Sequence, residues 1–411
     1  MLKQYLQLPR VVHILCLGAF INRSGTLLLP FLTLYLTKER GLGVDFATLG
    51  MGAFGLGSLV GALTGGHLAD RIGRRRVMLM SLLGGAVILL LFGSLTGPRT
   101  ILAAVLVFAV LADMYRPAAH AMIADLVIPE HRPNAFGLMY VAVNLGFSVG
   151  AFVGGKLATY CFQWLFWGDA LTAAVYAMII LVLIRETLPS RRALPTAELG
   201  AAARAAGDES AQPRALGAGR HILRDRTFLI FCAGSLCVGL VYMQAMSTFP
   251  IHLDRHGIGV DGYGRLIAFN GLMIVFLQLP LTAVLNRFNR ATVVVWATVV
   301  TAVGFGLIGV AGSFTAFALT VVVWTAGEMM AFPFMSAIVT DLSPLHLRAR
   351  YLGVFSMCFS SAMMLGAPLG GMALHHLGGP YLWGSAFAVA LIAALLFGSI
   401  HRKMTPQARR A

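Results

Sequence analysis

"GGHLADRIGRRR", residues 65–76, separates two long apolar stretches. One acid, Asp70, is followed by four bases, Arg71 and Arg74–Arg76, broken only by Ile72 and Gly73. Charge this dense between two oily segments reads as a loop that turns the chain back at a membrane surface. The residue types suit that task. Gly73 permits a tight turn with positive φ, and Gly66 is expected to let two helices approach closely. Asp70 ends the preceding segment, where it can face a helix N-terminus or an Arg of a neighbouring span. Arg75 and Arg76 read as plain loop bases.

The rest of the chain supports a membrane setting. Of its 411 residues, 58% are hydrophobic and only 11% are charged, against about 25% charged in a soluble domain. A water-soluble monomer this apolar would expose larger patches than such proteins tolerate. A lipid-spanning helix needs about 20 mostly apolar residues, and helices satisfy every backbone group within lipid. Twelve such stretches are present, near 11–36, 47–69, 77–96, 101–128, 135–159, 162–184, 228–252, 263–286, 292–312, 315–340, 351–375 and 380–400. The expected fold class is an all-α membrane protein of twelve transmembrane helices.

The net charge of +15 does not imply nucleic acid, because the charge is sorted by side. With the N-terminus in the cytoplasm, only Lys38, Arg40, Arg99, Arg255 and Arg265 fall outside, and Arg23, Arg116 and Lys156 fall within spans. All other Lys and Arg are cytoplasmic, a strong positive-inside bias. Both termini are therefore expected in the cytoplasm, with the lipid bilayer as the partner of the charge. The five Cys residues lie in or at the ends of spans and form no metal-spaced pair, so they read as small packing residues. The first apolar run is too long for a signal-peptide core, and no cleavable signal is expected.

The sequence repeats itself at an offset of 216 positions. "GLGVD" at 41–45 returns as "GIGVD" at 257–261, Pro117 as Pro333, Asp125 as Asp341, Arg132 as Arg348 and Gly137 as Gly353. "GAFVGG" at 150–155 returns as "GAPLGG" at 366–371. Two parallel six-helix halves follow, 1–185 and 227–411, joined by a polar, basic cytoplasmic linker at 186–226. Parallel repeats about an axis along the membrane normal are a transporter architecture. Asp125 with Arg132, and Asp341 with Arg348, read as structural gate charges.

The pattern G-x-L-A-D-R-x-G-R-R-R, from Gly66 to Arg76, resembles the loop signature of the major facilitator superfamily. The second half carries a worn copy, in which Asn286, Arg287 and Arg290 answer Asp70, Arg71 and Arg74. The resemblance implies that Gly66, Asp70, Arg71, Gly73 and Arg74 form a gating element, with Asp70 latching the halves in the outward-facing state. "GFSVGAFVGG", Gly146 to Gly155, resembles the antiporter pattern G-x-x-x-G-P-x-x-G-G of drug exporters in that superfamily, through Gly146, Gly150, Gly154 and Gly155. Ala151 stands where the pattern has proline; the same glycines also read as a small-residue helix seam. "LRDRTFLIF", "FPIHL" and "WTAGEMMAFPFMSAIVTDLSP" look like regions of bacterial proton-coupled multidrug antiporters. In that family an acid of span ten serves proton coupling and cation recognition, and Glu328 occupies the matching place. Some relatives carry a further acid in span five, where "GLMYVAVNLG" has none.

An ionisable group in mid-span is costly, about 2.5–3.5 kcal/mol on insertion scales, so each is a candidate for function. Arg23, Asp113, Arg116 and Glu328 meet that description, and under the family resemblance they converge near the midplane on spans one, four and ten. Asp113 and Arg116 share a helix face and can neutralise each other, and Arg23 can pair with Asp113. Glu328 has no basic partner in its own helix, which suits a group that gains and loses a proton. Asp169 is expected to be hydrated at the outer end of span six. Aromatic and Met residues such as Tyr242, Met243, Phe249, Trp324 and Met329 are candidates for an adaptable cavity wall.

The expected function is export of small lipophilic or cationic compounds in exchange for protons, by alternating access, in a bacterial inner (plasma) membrane. The rival is proton-coupled uptake of an organic anion or other metabolite, favoured by the two arginines. An enzyme is not expected. "GFSVG" formally matches Gly-x-Ser-x-Gly but lies inside a span, and "GAFVGGKL" lacks the Ser or Thr of a phosphate-binding loop. No cofactor, metal or nucleic acid is called for; the partners are a small-molecule substrate, protons and lipid, and the chain is expected to be a monomer.

Overall fold

A computed structural model describes residues 8–128, 132–187, 222, 224–344 and 347–404. Most of the expected linker at 186–226 lies outside the described residues, as do the side chains of Arg132 and Arg348. Among the described residues, twelve helices are long and apolar enough to cross a membrane. We number them as spans: one Arg10–Glu39, two Val44–Ile72, three Arg74–Phe92, four Pro98–Ile123, five Ala135–Tyr160, six Gln163–Leu183, seven Arg226–Ser247, eight Val260–Leu285, nine Arg290–Leu307, ten Phe314–Leu342, eleven Tyr351–Leu377 and twelve Gly379–Ser399. Their outer faces carry exposed Leu171, Phe276, Trp296 and Leu395, a surface suited to lipid and not to water.

The sequence repeat reappears as repeated geometry. Gly41 and Gly257, repeat mates, both adopt positive φ, at 63° and 74°, and each leads into the next span. Spans five and eight approach at Gly155, where an added Cβ would lie 3.0 Å from Gly264 Cα. The mates of those residues, Gly371 and Thr48, bring spans eleven and two together in the same manner. Gly271 against Ser148 and Gly55 against Met364 repeat the correspondence one step deeper. These two seams join the first six spans to the last six.

Among the described residues, the ion pairs that cross between the halves lie at one end. At the end bearing residues 39–45, Lys38 of the first half pairs with Asp254 of the second at 2.5 Å, and His375 Nδ1 lies 2.7 Å from Asp45. At the Arg-rich end, Arg74–Asp70, Arg74–Asp125 and Arg290–Asp341 each stay within one half. Gly137 and Gly353, mates at the starts of spans five and eleven, have room for a Cβ that would meet nothing within 4 Å. Among the described residues, no ion pair joins the halves at the Arg-rich end.

Span one is broken in its middle. Its helix runs Arg10–Ser24, stops, and resumes as Leu28–Leu34. Pro30 explains the break: it lacks the N–H that would bond Thr26 O, and its ring excludes that carbonyl from a continuous helix. The interruption frees backbone donors in mid-membrane, and these require partners.

Candidate functional site

Asp169 of span six supplies that partner. Its Oδ2 accepts from Leu27 N at 3.3 Å and Leu28 N at 3.5 Å, at the start of the second piece of span one. The side chain is buried, with the residue only 4% exposed. The expectation of a hydrated Asp169 is therefore wrong, because the chain break behind Pro30 draws it inward as a cap. A carboxylate at a helix N-terminus is also favoured by the dipole.

Arg23 lies directly before the break and faces a cavity of about 220 Å3 between the halves. Asp113, Arg116 and Asp169 line the same cavity, and Met243 and Met363 close it from the second half. Asp113 accepts the Ser58 hydroxyl of span two and lies 3.7 Å from Arg116. The Arg116 side chain is 62% exposed, so it points into open space. Among the described residues no carboxylate lies within 4.0 Å of the Arg23 guanidinium; of the two pairings the sequence allows for Asp113, the one with Arg116 within span four forms and the one with Arg23 does not. The cavity thus holds two carboxylates and two guanidiniums, of which one pair is already matched.

Glu328 sits apart from these three. It is half-buried in span ten and accepts from Asn270 Nδ2 of span eight at 3.1 Å. The same amide donates to Thr325 Oγ1 at 3.0 Å, which fixes its orientation. No Lys, Arg or His lies within 4.0 Å of the carboxylate among the described residues. The structure therefore brings Arg23, Asp113 and Arg116 together and places Glu328 at a second polar point between spans eight and ten. Of the expected cavity wall, Met243 lines the cavity. Tyr242, Phe249, Trp324 and Met329 are buried core of the second half, with the Tyr242 hydroxyl bonded to Thr301 and to Trp324 O.

The glycines of span five shape this region. A Cβ on Gly146 would lie 2.5 Å from Phe20 O, and one on Gly150 would lie 2.9 Å from Ser24 O, so span five presses on the turn that carries Arg23. Gly154 abuts Leu27 and Phe31, while Gly155 faces span eight. The pattern acts physically as a small-residue seam.

The opening loop is tied down by more than its own residues. Gly73 takes φ 109°, as its turn requires. Arg74 bridges Asp70 and Asp125, each at 3.1 Å, and its repeat mate Arg290 meets Asp341 at 2.7 Å. Gly66 does not provide the close approach expected of it, since its Cβ would meet Pro117 at an ordinary 3.8 Å; Gly65 does, at 2.6 Å from Met114 Cα. Arg75 is more than a loop base: it donates to Leu181 O at 2.6 Å, in the last turn of span six. Glu186 accepts from the backbone N–H of Arg74 and Arg75, at 2.9 and 3.1 Å, and so caps span three. Arg71 is exposed.

Sequence reasoning missed Glu186, Ser58 and Asn270. Asn270 left a signal, an amide in the middle of an apolar span. Ser58 left none, since serines are common in packed membrane helices.

A family profile described as Major Facilitator Superfamily matches residues 14–273 and 245–410. The chain is 27% identical over 375 residues to a protein of Planococcus maritimus named as a Na(+), Li(+), K(+)/H(+) antiporter, covering 85% of this chain and 86% of that one. It is likewise 27% identical to the uncharacterized MFS-type transporter YttB of Bacillus subtilis (strain 168), covering 90% of each. Among solved structures, a POT family transporter in complex with a thioalcohol-conjugated peptide superposes with a TM-score of 0.78 at 17% identity, covering 97% of each chain.

Proposed function

The chain belongs to the Major Facilitator Superfamily, and on that basis we propose that it exports small lipophilic or cationic compounds in exchange for protons. It is a multi-pass membrane transporter; the direction, the cargo and the coupling ion are the proposal. The single observation that carries it is the Glu328 carboxyl, half-buried in mid-span with an amide partner and, among the described residues, no cation beside it. Such a carboxyl is held more cheaply with a proton when alone and without one beside a cationic substrate. One group seen by both ligands makes their binding mutually exclusive, which is what exchange requires. The Planococcus relative, named as exchanging cations for protons, supports this direction.

The halves rock about the central cavity, closed at the 39–45 end and open at the Arg-rich end. The positive-inside rule puts the Arg-rich end and both termini in the cytoplasm of a bacterial plasma membrane, so this conformation is inward-facing. At about 220 Å3 the cavity lies below the roughly 300–1,000 Å3 of sites for drug-sized ligands. In this conformation it admits a small solute or part of a larger one.

A second reading has its own observation. Arg23 lines the cavity with no carboxylate at ion-pair distance among the described residues, which suits an anionic substrate taken up with a proton. Everted vesicles separate the two. Glu328→Gln should fold and lose gradient-driven accumulation of a cationic dye, while Arg23→Gln should retain it. Loss with Arg23→Gln and retention with Glu328→Gln would reverse the assignment in favour of anion uptake.

A further inference from the structure

At the closed end, span two begins at Val44 and span eleven finishes in a π turn, Ala373–Leu377. Three side chains meet there across the halves. His375 Nδ1 lies 2.7 Å and His376 Nε2 lies 3.6 Å from Asp45 Oδ2. One ligand atom from each of the three falls within 4.8 Å of the others. The second carboxylate oxygen, Asp45 Oδ1, is buried without a hydrogen-bond partner.

We propose that Asp45, His375 and His376 form a divalent transition-metal site of the zinc type that clamps the two halves together at this end. Two imidazoles and one carboxylate are the donor set that zinc accepts, and they are a poor match for magnesium or calcium, which take oxygen ligands. Tetrahedral zinc with bonds of about 2.0–2.1 Å places its ligand atoms roughly 3.4 Å apart. The observed separations of 2.7 and 3.6 Å bracket that spacing, and both imidazoles are about half exposed or more, with room to turn. The orphaned Asp45 oxygen gives the carboxylate a second contact. Three protein ligands leave a fourth position for water, so the ion is held at the solvent-facing rim.

The site differs from the cavity in its architecture. Its ligands come from both halves, Asp45 from the first and the histidines from the second, so an ion there is bound only while this end is closed. Zinc would therefore favour the closed-end conformation by the difference in its affinity for the two states. The neighbouring cations leave room for it: Lys38 is matched by Asp254, and Arg255 donates to Leu374 O at 3.2 Å.

Zinc chloride titrated calorimetrically into the purified, tag-free protein tests the site, and needs no transport. The wild type should take up one ion saturably. His376→Ala, at the most exposed ligand, should weaken uptake by at least about tenfold without loss of folding, and Asp45→Asn/His375→Ala/His376→Ala should abolish it. Hydrogen exchange then reads the clamp: zinc should slow exchange in both 40–48 and 372–380. The site is overturned if the wild type shows no saturable uptake, or if the variants bind as it does. Protection confined to 372–380 would overturn the clamp, leaving a histidine pair on one half. Failure on either count leaves the transport reading untouched, because none of these readouts involves Glu328.

Discussion

Asp169 shows how one side chain is fixed by a defect elsewhere. Pro30 and Gly25 interrupt span one, two backbone donors are stranded, and a carboxylate from span six answers them at 3.3 and 3.5 Å. A buried donor left without a partner costs about 1–3 kcal/mol. Asp169→Ala should therefore lower unfolding free energy by about that much, and Asp169→Asn, which keeps an acceptor oxygen, by distinctly less. Thermal unfolding in detergent checks both; an alanine variant as stable as the wild type would mean that the break is satisfied by other groups. The sequence displays Gly25 and Pro30 plainly, but the apolar run around them is continuous, so the sequence alone predicts one unbroken helix there. Arg23, Asp113 and Arg116 were legible because charge in an apolar span has few bland explanations. The Asp113–Arg116 pair was legible too, as one of two pairings the spacing allows; its formation in place of Arg23–Asp113 was not, because that depends on Ser58 and on which way the Arg116 side chain turns.

Helix against helix, the decisive residues are those with no side chain. Gly150 of span five lies where a Cβ would come within 2.9 Å of Ser24 O and 3.0 Å of Arg23 O, while Gly137 of the same span would meet nothing within 4 Å. Backbone cannot retreat as a flexible side chain can, so Gly150→Ala must push span five off the turn that carries Arg23. A loss of about 1–3 kcal/mol is the usual result of such overpacking, and transport should fall with it. Gly137→Ala should be neutral or slightly stabilising, since alanine favours helix by up to about 1 kcal/mol over glycine. Melting curves of the two variants side by side test the seam; equal shifts would refute it. The glycine pattern was visible in the sequence, and so was the 216-residue offset that predicts the matching seam at spans eleven and two. Which glycine does the close packing was not visible: Gly65 and Gly66 are neighbours in sequence, but only the first points at Met114.

For the whole molecule, the question is what balances two conformations. The closed end holds cross-half contacts, including Lys38 to Asp254 at 2.5 Å. At the open end Asp70 is satisfied within its own half by Arg74 at 3.1 Å, and its implied latch to the second half can form only when that end closes. The two acids therefore belong to opposite sides of one equilibrium. Lys38→Ala removes a contact made only in the present conformation and should raise the outward-facing population. Asp70→Asn weakens the Arg74 pair, which lies within one half and does not itself hold either end shut, and removes the cross-half contact reserved for the other conformation, so it should raise the inward-facing population. Exposed ion pairs contribute about 0.2–1 kcal/mol, so each shift should be severalfold at most, and transport should slow in both variants because either bias burdens one half of the cycle. Combining the substitutions should bring the populations back toward the wild type, since sites at opposite ends of the bundle share no partner and their effects add. Distances between spin labels at exposed positions of the two halves, one pair at each end, measure all three. If Asp70→Asn and Lys38→Ala move the populations in the same direction, the latch is misassigned, and the acid in the opening loop serves only to hold Arg74.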